Sequence, residues 1–235
     1  NIVGFAVLMV IDIPVIRELA LATSLEHAMP IFPLFTDVVQ LQAESGITYT
    51  PTLVVGYGGP IGLNYWLTHY NVDEDTKLRR FTPHDELDAW KSLPYNRDDQ
   101  YIFKGLAEQL NKMVKAGGRV GLGSHGELQG LGVHWELWMM QSGGLSEFET
   151  LRAGTLHGAE AIGLGKDLGS LEVGKLADLQ VLDRNPLVDI KNTNSVRFVM
   201  KNGRLYDGNT LDEVWPRAKA LPPQWWWTED PAVKR

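Results

Sequence analysis

The stretch from Ala116 to Trp138, AGGRVGLGSHGELQGLGVHWELW, places the tightest constraint on what this chain can fold into. Gly117–Gly118 ends a helix, and Arg119 to Gly123 reads as a short buried strand. The strand then opens into a polar loop carrying Ser124, His125, Glu127, Gln129, His134 and Glu136. A buried strand that empties at its C-terminal end into titratable groups is the pattern of α/β barrels, whose catalytic residues come from strand ends. The same residues also fit an ordinary strand-to-helix connection with incidental histidines, so the rest of the chain has to decide.

Its neighbours repeat the alternation. Thr23 to Ala28, TSLEHA, reads as a brief strand ending in Glu26–His27. Leu34, Val38 and Leu41 follow at helical spacing, and Gly46 is a left-handed cap for that helix. Ile47 to Val55, ITYTPTLVV, is rich in β-branched residues and reads as the next strand, which completes a strand–helix–strand unit. A helix over 98–116 shows an apolar stripe of Ile102, Phe103, Leu106, Leu110, Met113 and Val114, with Asp98 or Asp99 at its start and Gly117 at its end. Between them, 56–96 reads as a long irregular excursion with one short helix, of the kind that shapes a binding pocket. Its aromatic residues, such as Tyr65, Trp66 and Tyr70, argue against disorder.

Ser146 and Glu149 form a capping box that opens a helix running to about Ile162. From Gly163 the texture changes to short apolar runs between glycines, Ala177 to Leu182 and Val196 to Met200, which read as a small β element. The tail from 213 to 235 holds Trp225–Trp226–Trp227, which cannot all face one side of a helix or strand, so some pack on another element or another chain. At the other end, 2–11 is apolar without a basic n-region, a poor signal peptide and a better buried strand, and 15–22 has helical composition. Opening at Asn1 inside that run, the chain reads as a fragment or a processed product.

Composition narrows the chemistry. Of the 235 residues 44% are hydrophobic and 22% charged, which suits a chain that buries a core. The net charge is −7 with scattered basic residues, so no footprint for nucleic acid is present. No apolar run reaches membrane-spanning length. The absence of cysteine excludes disulfides, thiolate metal sites and a Cys nucleophile, while leaving the compartment open.

What remains is six histidines and their acidic neighbours. His27 and His125 both sit just past strands, so parallel strands would turn them into one mouth. Neutral imidazole suits zinc and similar divalent metals, with Glu26, Glu127 and Glu136 the nearby acids. Sharing a metal requires nitrogens on the order of 3–5 Å apart, given Zn–N bonds near 2 Å. His69 and His84 lie in the excursion, and His157 reads as a packing residue. The chain contains no H-x-H or H-E-x-x-H pair, no nucleophile elbow and no phosphate-binding glycine loop.

At these residues the chain resembles the metal-dependent amidohydrolase superfamily. GGRVGLGSHG resembles the last barrel strand and its metal or proton-transfer loop, and LSEFETLRAGTLHGAEAIGL the helix after it. DLGSLEVGKLADLQVLDRNPL and VRFVMKNGRLY are similar to the family's return into a small β-sandwich, and SLEHAMP with AESGITYTPTLVV to the sixth and seventh barrel strands. HGELQGLGVHWELW and the tryptophan-rich tail look closest to a branch that carries an N-terminal, tricorn-like β-propeller. The resemblance implies an α/β fold: the C-terminal half of a (β/α)8 barrel over 1–162, a small β-sandwich portion over 163–212, and a Trp- and Pro-rich tail over 213–235. It implies a hydrolase acting on carbon–nitrogen bonds of a small-molecule amide, cyclic amide or dipeptide-like substrate. It also implies a divalent metal, zinc by ligand type, held by His27 and His125, with His125 and Glu127 catalytic. The family's usual Asp at the end of the last strand is His125 here, and the H-x-H of the first strand is not in this chain. The other expectation is therefore a non-catalytic binding or scaffolding part of a larger assembly, completed by self-association or by an N-terminal half.

Overall fold

Three short parallel strands lie side by side in the order β1 (Ser24–Glu26), β2 (Thr48–Thr50), β3 (Arg119–Val120). The structure, a computed structural model, describes residues 24–56 and 58–228. The strand expected at 2–11 and the helical stretch at 15–22 fall outside these residues. Leu25, Tyr49 and Val120 stand in register across the sheet, and all three are buried in one core with Val39, Leu106, Leu110 and Met113. Because side chains alternate along a strand, Ser24, Thr48 and Thr50 occupy the opposite face.

The helix between β1 and β2 is α1 (Thr36–Ser45), closed by Gly46 at φ 71°. It buries Val39 and Gln42 rather than the expected stripe, and Leu41 is exposed. Leu34 precedes the helix, so the spacing counted from it does not follow the helical face. The second expected strand is also shorter than 47–55. Pro51 has no N–H to continue the ladder, Thr52 turns at φ 52°, and Leu53–Val55 closes as a 3-10 turn whose first two residues are fully buried.

The excursion is not irregular. It folds into α2 (Gly62–His69), α3 (Thr76–Phe81) and α4 (His84–Lys91), and Leu63, Val72, Leu78 and Leu87 all enter the main core. Each helix is two turns or so, too short to print a 3.6-residue stripe, and is held by one or two anchors. Asp75 caps α3 by accepting from the Leu78 N–H at 2.8 Å. The described residues of 56–96 thus send anchors into the core rather than lying as a loop over it.

The helix expected at 98–116 divides. Asp98–Gln100 is a separate 3-10 turn and α5 is Phe103–Lys115, with neither aspartate capping it. Asp98 faces His69 at 3.2 Å and Asp99 pairs with Arg97. The far end is built as read: Gly117 sits at φ 88°, its N–H donates to Val114 O, and Gly118 N–H donates to Met113 O, the paired bonds of a Schellman cap. That cap delivers the chain directly into β3.

After the loop at 121–130, α6 (Leu131–Ser142) is buried on nearly all sides and packs along α5. His134 and Glu136, expected in the polar loop, belong to this helix. Ser146 caps α7 (Glu147–Ala153), accepting from Glu149 N–H at 3.2 Å. The single helix expected to run to 162 breaks at Gly154–Thr155 before α8 (Leu156–Ala161). There the Thr155 hydroxyl donates to Leu151 O, the acceptor that a continuing helix would offer to the Thr155 N–H.

β4 (Leu179–Leu182), β5 (Val196–Lys201), β6 (Arg204–Asp207) and β7 (Glu213–Trp215) form one antiparallel sheet in sequence order. No residue in these strands is fully buried, and the described residues contain no second sheet facing it, so the expected sandwich is a single layer here. The tail docks on α3. Trp226 and Trp227 both donate their indole N–H to Arg80 O at 3.0 and 2.6 Å, and the Arg80 guanidinium lies 4.1 Å from the Trp227 ring centre. Trp225 remains exposed. Among the described residues no helix is long and apolar enough to cross a membrane.

Candidate metal centre at the mouth of the parallel strands

His27 is the first residue beyond β1, held by its own N–H donating to Thr50 O at 2.8 Å. His125 lies in the loop that follows β3. Parallel order brings both to the same end of the sheet, and their ring centres are 5.3 Å apart at an interplanar angle of 62°. Both residues are left-handed, His27 at φ 69° and His125 at φ 58°. A non-glycine residue in that region costs on the order of 1–3 kcal/mol, and such strain concentrates at functional sites.

The charge state of His27 and the orientation of His125 favour ligation. Burial holds the His27 pKa below its ordinary value, the neighbouring His125 pushes the same way, and Glu26 opposes them. At neutral pH the His27 imidazole is therefore neutral, the form that binds metal. His125 Nδ1 lies 3.2 Å from Glu127 Oε1. Since a carboxylate can only accept, Nδ1 carries the proton of that contact, which makes Nε2 the nitrogen available for a ligand bond. Glu127 is fixed in turn by its N–H donating to Ser124 O at 3.0 Å.

Beneath the loop the threonine side chains of β2 and its turn approach the backbone that follows β3 closely. A Cβ on Gly121 would lie 2.9 Å from Thr50 Oγ1, and one on Gly123 would lie 2.7 Å from Thr50 Cγ2 and 2.8 Å from Thr52 Oγ1. The threonines of β2 and its turn therefore fill the space that side chains at 121 and 123 would need.

The remaining candidates are elsewhere. Glu136, expected among the acids of the site, is fully buried on α6, where its Oε1 accepts from Leu53 N–H at 2.7 Å and its Oε2 from Val54 N–H at 2.9 Å. Burial pushes this carboxyl's pKa upward, while the two N–H donors pull it back. His69 donates to Tyr65 O at 2.7 Å, faces Asp98 and stacks on Tyr65, and His84 lies 3.8 Å from Asp88 on its own helix. His157 is buried and donates to Val120 O at 3.3 Å, a packing residue behind β3. Among the described residues no three His, Cys, Asp or Glu side chains gather closely enough to hold a metal ion. The donor chemistry here thus fits a two-histidine share of a metal shell.

His134 has a different consequence. Its Nδ1 is buried without a partner, and its pKa is pushed down to about 4, by burial first and by Lys77 second, with Asp75 opposing. The unfolded ring titrates near 6.5, so between that value and about 4 the unfolded state binds more protons. The stability that a neutral His134 contributes is present above pH 6.5 and is lost as pH falls toward 4. Urea midpoints of the chain should fall over that window, and His134→Phe should lose less than the parent. Equal losses in the two would show that another group carries the acid sensitivity.

Glu136 as a structural clamp, and the threonine–glycine approach at the mouth, were not apparent from the sequence. The available signal was an ionisable residue inside LGVHWELWMM, a helix apolar all round, where an acid must find buried donors.

Residues 19–206 match the sequence profile of the Amidohydrolase family. The 5'-deoxyadenosine deaminase of Methanobrevibacter smithii is 39% identical over 71 residues, which cover 29% of this chain and 16% of that protein. The structure of a molinate hydrolase superposes with a TM-score of 0.54 at 25% identity, over 90% of this chain and 43% of that one. A putative prolidase from Bifidobacterium longum superposes with a TM-score of 0.54 at 22% identity, over 88% and 45%, a likeness of fold alone. The chain spans less than half the length of each of these proteins. With the profile matched across most of its length, from before β1 to the end of β6, the chain belongs to the amidohydrolase family.

Proposed function

We propose that this chain takes part in metal-assisted hydrolysis of a carbon–nitrogen bond in a small amide, cyclic amide or dipeptide-like substrate. The observation that carries this reading is the meeting of His27 and His125 at one strand end, both left-handed, with ring centres 5.3 Å apart. The two imidazoles are assigned as ligands of a divalent metal, zinc being the one that neutral imidazole with a carboxylate partner suits best. Such a metal, when bound, supplies a lowered water pKa and polarises the scissile carbonyl. Glu127 holds the His125 tautomer and is assigned as the proton-accepting carboxylate. In this reading residues 1–162 belong to the barrel portion, 163–212 to the small β-sandwich portion and 213–235 to the Trp- and Pro-rich tail.

The test uses the zinc-reconstituted chain and N-acyl amino acid and cyclic amide substrates. Glu127→Gln is expected to weaken zinc binding by roughly 10–100-fold, the usual cost of losing an outer partner of a ligand, and to slow hydrolysis. Zinc binding and turnover equal to the parent would remove Glu127 from the site.

A second reading, a binding or scaffolding part of a larger assembly, is favoured by two specific observations. The described residues offer two metal ligands where a catalytic zinc takes three from protein. The small sheet and its approach also expose Val173, Val181, Val188 and Trp215. We assign that face to association, with a second copy or with an N-terminal half. The expected molar mass in dilute solution exceeds the 26.3 kDa of one chain. A stable monomer with a single sharp unfolding transition would count against association.

A further inference from the structure

We propose that Glu136 is the positioning residue of this mouth: its carboxylate holds the turn after β2 and, through Thr52, seats the loop that carries His125. The inference rests on the assignment of His27 and His125 as a ligand pair.

The Leu53–Val55 turn begins with two N–H groups that its own bonds do not use. Val55 N–H donates to Thr52 O and Gly56 N–H to Leu53 O, which leaves the N–H groups of Leu53 and Val54 for an outside acceptor. Both are buried, so an unmet donor there would be costly. Glu136 supplies one oxygen to each, at 2.7 and 2.9 Å, across more than eighty positions of sequence. When ionised, the carboxylate offers two such acceptors in one plane.

The turn so held touches both halves of the pair. Thr50 O accepts the His27 N–H at 2.8 Å. Two residues on, Thr52 is left-handed at φ 52° and places its Oγ1 2.8 Å from where a Cβ on Gly123 would stand. Gly123 is two residues before His125, and the loop then runs directly into α6, which carries Glu136. The contacts close a ring: β2 turn, α6, His125 loop, and back to the turn. Releasing the carboxylate frees Thr52 to move, and with it the wall against which the His125 loop rests.

The experiment compares the parent, Glu136→Gln, Leu137→Ala and Thr52→Gly by amide exchange and by imidazole resonances. It is run at about pH 9, above the value of about 8 to which burial raises the Glu136 carboxyl, so that the ionised form is the one tested. Leu137→Ala is the control for mere loss of packing on the same helix. In Glu136→Gln, exchange at Leu53 and Val54 is expected to rise about tenfold or more, the size of one lost charge-assisted bond. The His27 and His125 imidazole resonances should shift with it, and neither change is expected in Leu137→Ala. Thr52→Gly relieves a left-handed threonine and keeps the clamp, so it should shift His125 while leaving Leu53 and Val54 protected. It judges the link between the turn and the His125 loop, without which the proposal falls, even if Glu136→Gln does not fold.

Unchanged Leu53 and Val54 exchange in a folded Glu136→Gln would overturn the clamp. Unmoved His125 resonances in Thr52→Gly would overturn its link to the mouth. Titration of each protein with Co2+ separates this proposal from the functional one. A parent that gives no ligand-field spectrum sinks the ligand pair, while the exchange and resonance data still judge the clamp.

Discussion

Replacing either His27 or His125 is expected to strip the chain of tightly held metal while leaving its fold intact. Each imidazole is a directly proposed ligand, so the loss in zinc affinity should exceed the roughly 10–100-fold typical of an outer partner. Alanine is the simplest substitution, but both positions are left-handed and asparagine tolerates that region better. His27→Asn and His125→Asn therefore separate ligation from backbone strain. Metal content after gel filtration and thermal unfolding of the metal-free proteins give the two readouts. Metal content equal to the parent in either variant would assign that histidine to structure. A loss confined to the alanine variants would point to the turn rather than the ring.

Trp135→Ala is expected to cost about 3–5 kcal/mol of stability, the range for deleting a large buried aromatic ring. Trp135 is fully buried on α6, stacks on Trp66 with ring centres 6.2 Å apart, and meets Tyr70 edge-on at 5.8 Å. Its ring joins the parallel strands' core to the helices of the excursion. Its indole nitrogen is buried without a partner, so packing alone holds the ring. Trp135→Phe should accordingly cost much less than the alanine variant. Trp138 on the same helix differs, because its N–H donates to Thr193 Oγ1 at 3.1 Å and so ties α6 to the approach to β5. Urea unfolding of the two Trp135 variants measures the effect. Equal costs for phenylalanine and alanine would mean that the ring is not held by its stack.

Several features were decided by local sequence. Gly117 ends α5 because a residue free to take positive φ completes that cap. The alternation of β-branched runs with helical stripes is set by each segment's own side-chain period, and it yields β1, β2 and β3 in parallel. From that alternation it follows that His27 and His125 share a mouth, since parallel strands end on the same side. Their place was legible without coordinates, and so was the family, because these signals are carried by neighbouring residues.

Tertiary structure decided where short or buried segments went. α2, α3 and α4 are too brief to show a period, and their helical state is stabilised by Leu63, Leu78 and Leu87 entering a core made by distant residues. The strand read over 47–55 stops at Thr50, where Pro51 has no N–H to donate, and the turn that follows is held by Glu136, 83 residues from Leu53, which accepts the Leu53 and Val54 N–H groups. The glycines at 121 and 123, read in the sequence as the end of a strand over 119–123, lie beyond β3, and the approach of Thr50 and Thr52 is what makes them necessary. Period and φ preference are properties of consecutive residues, whereas the partner of a buried donor and the space beside a Cα are set by whichever segment the fold brings there.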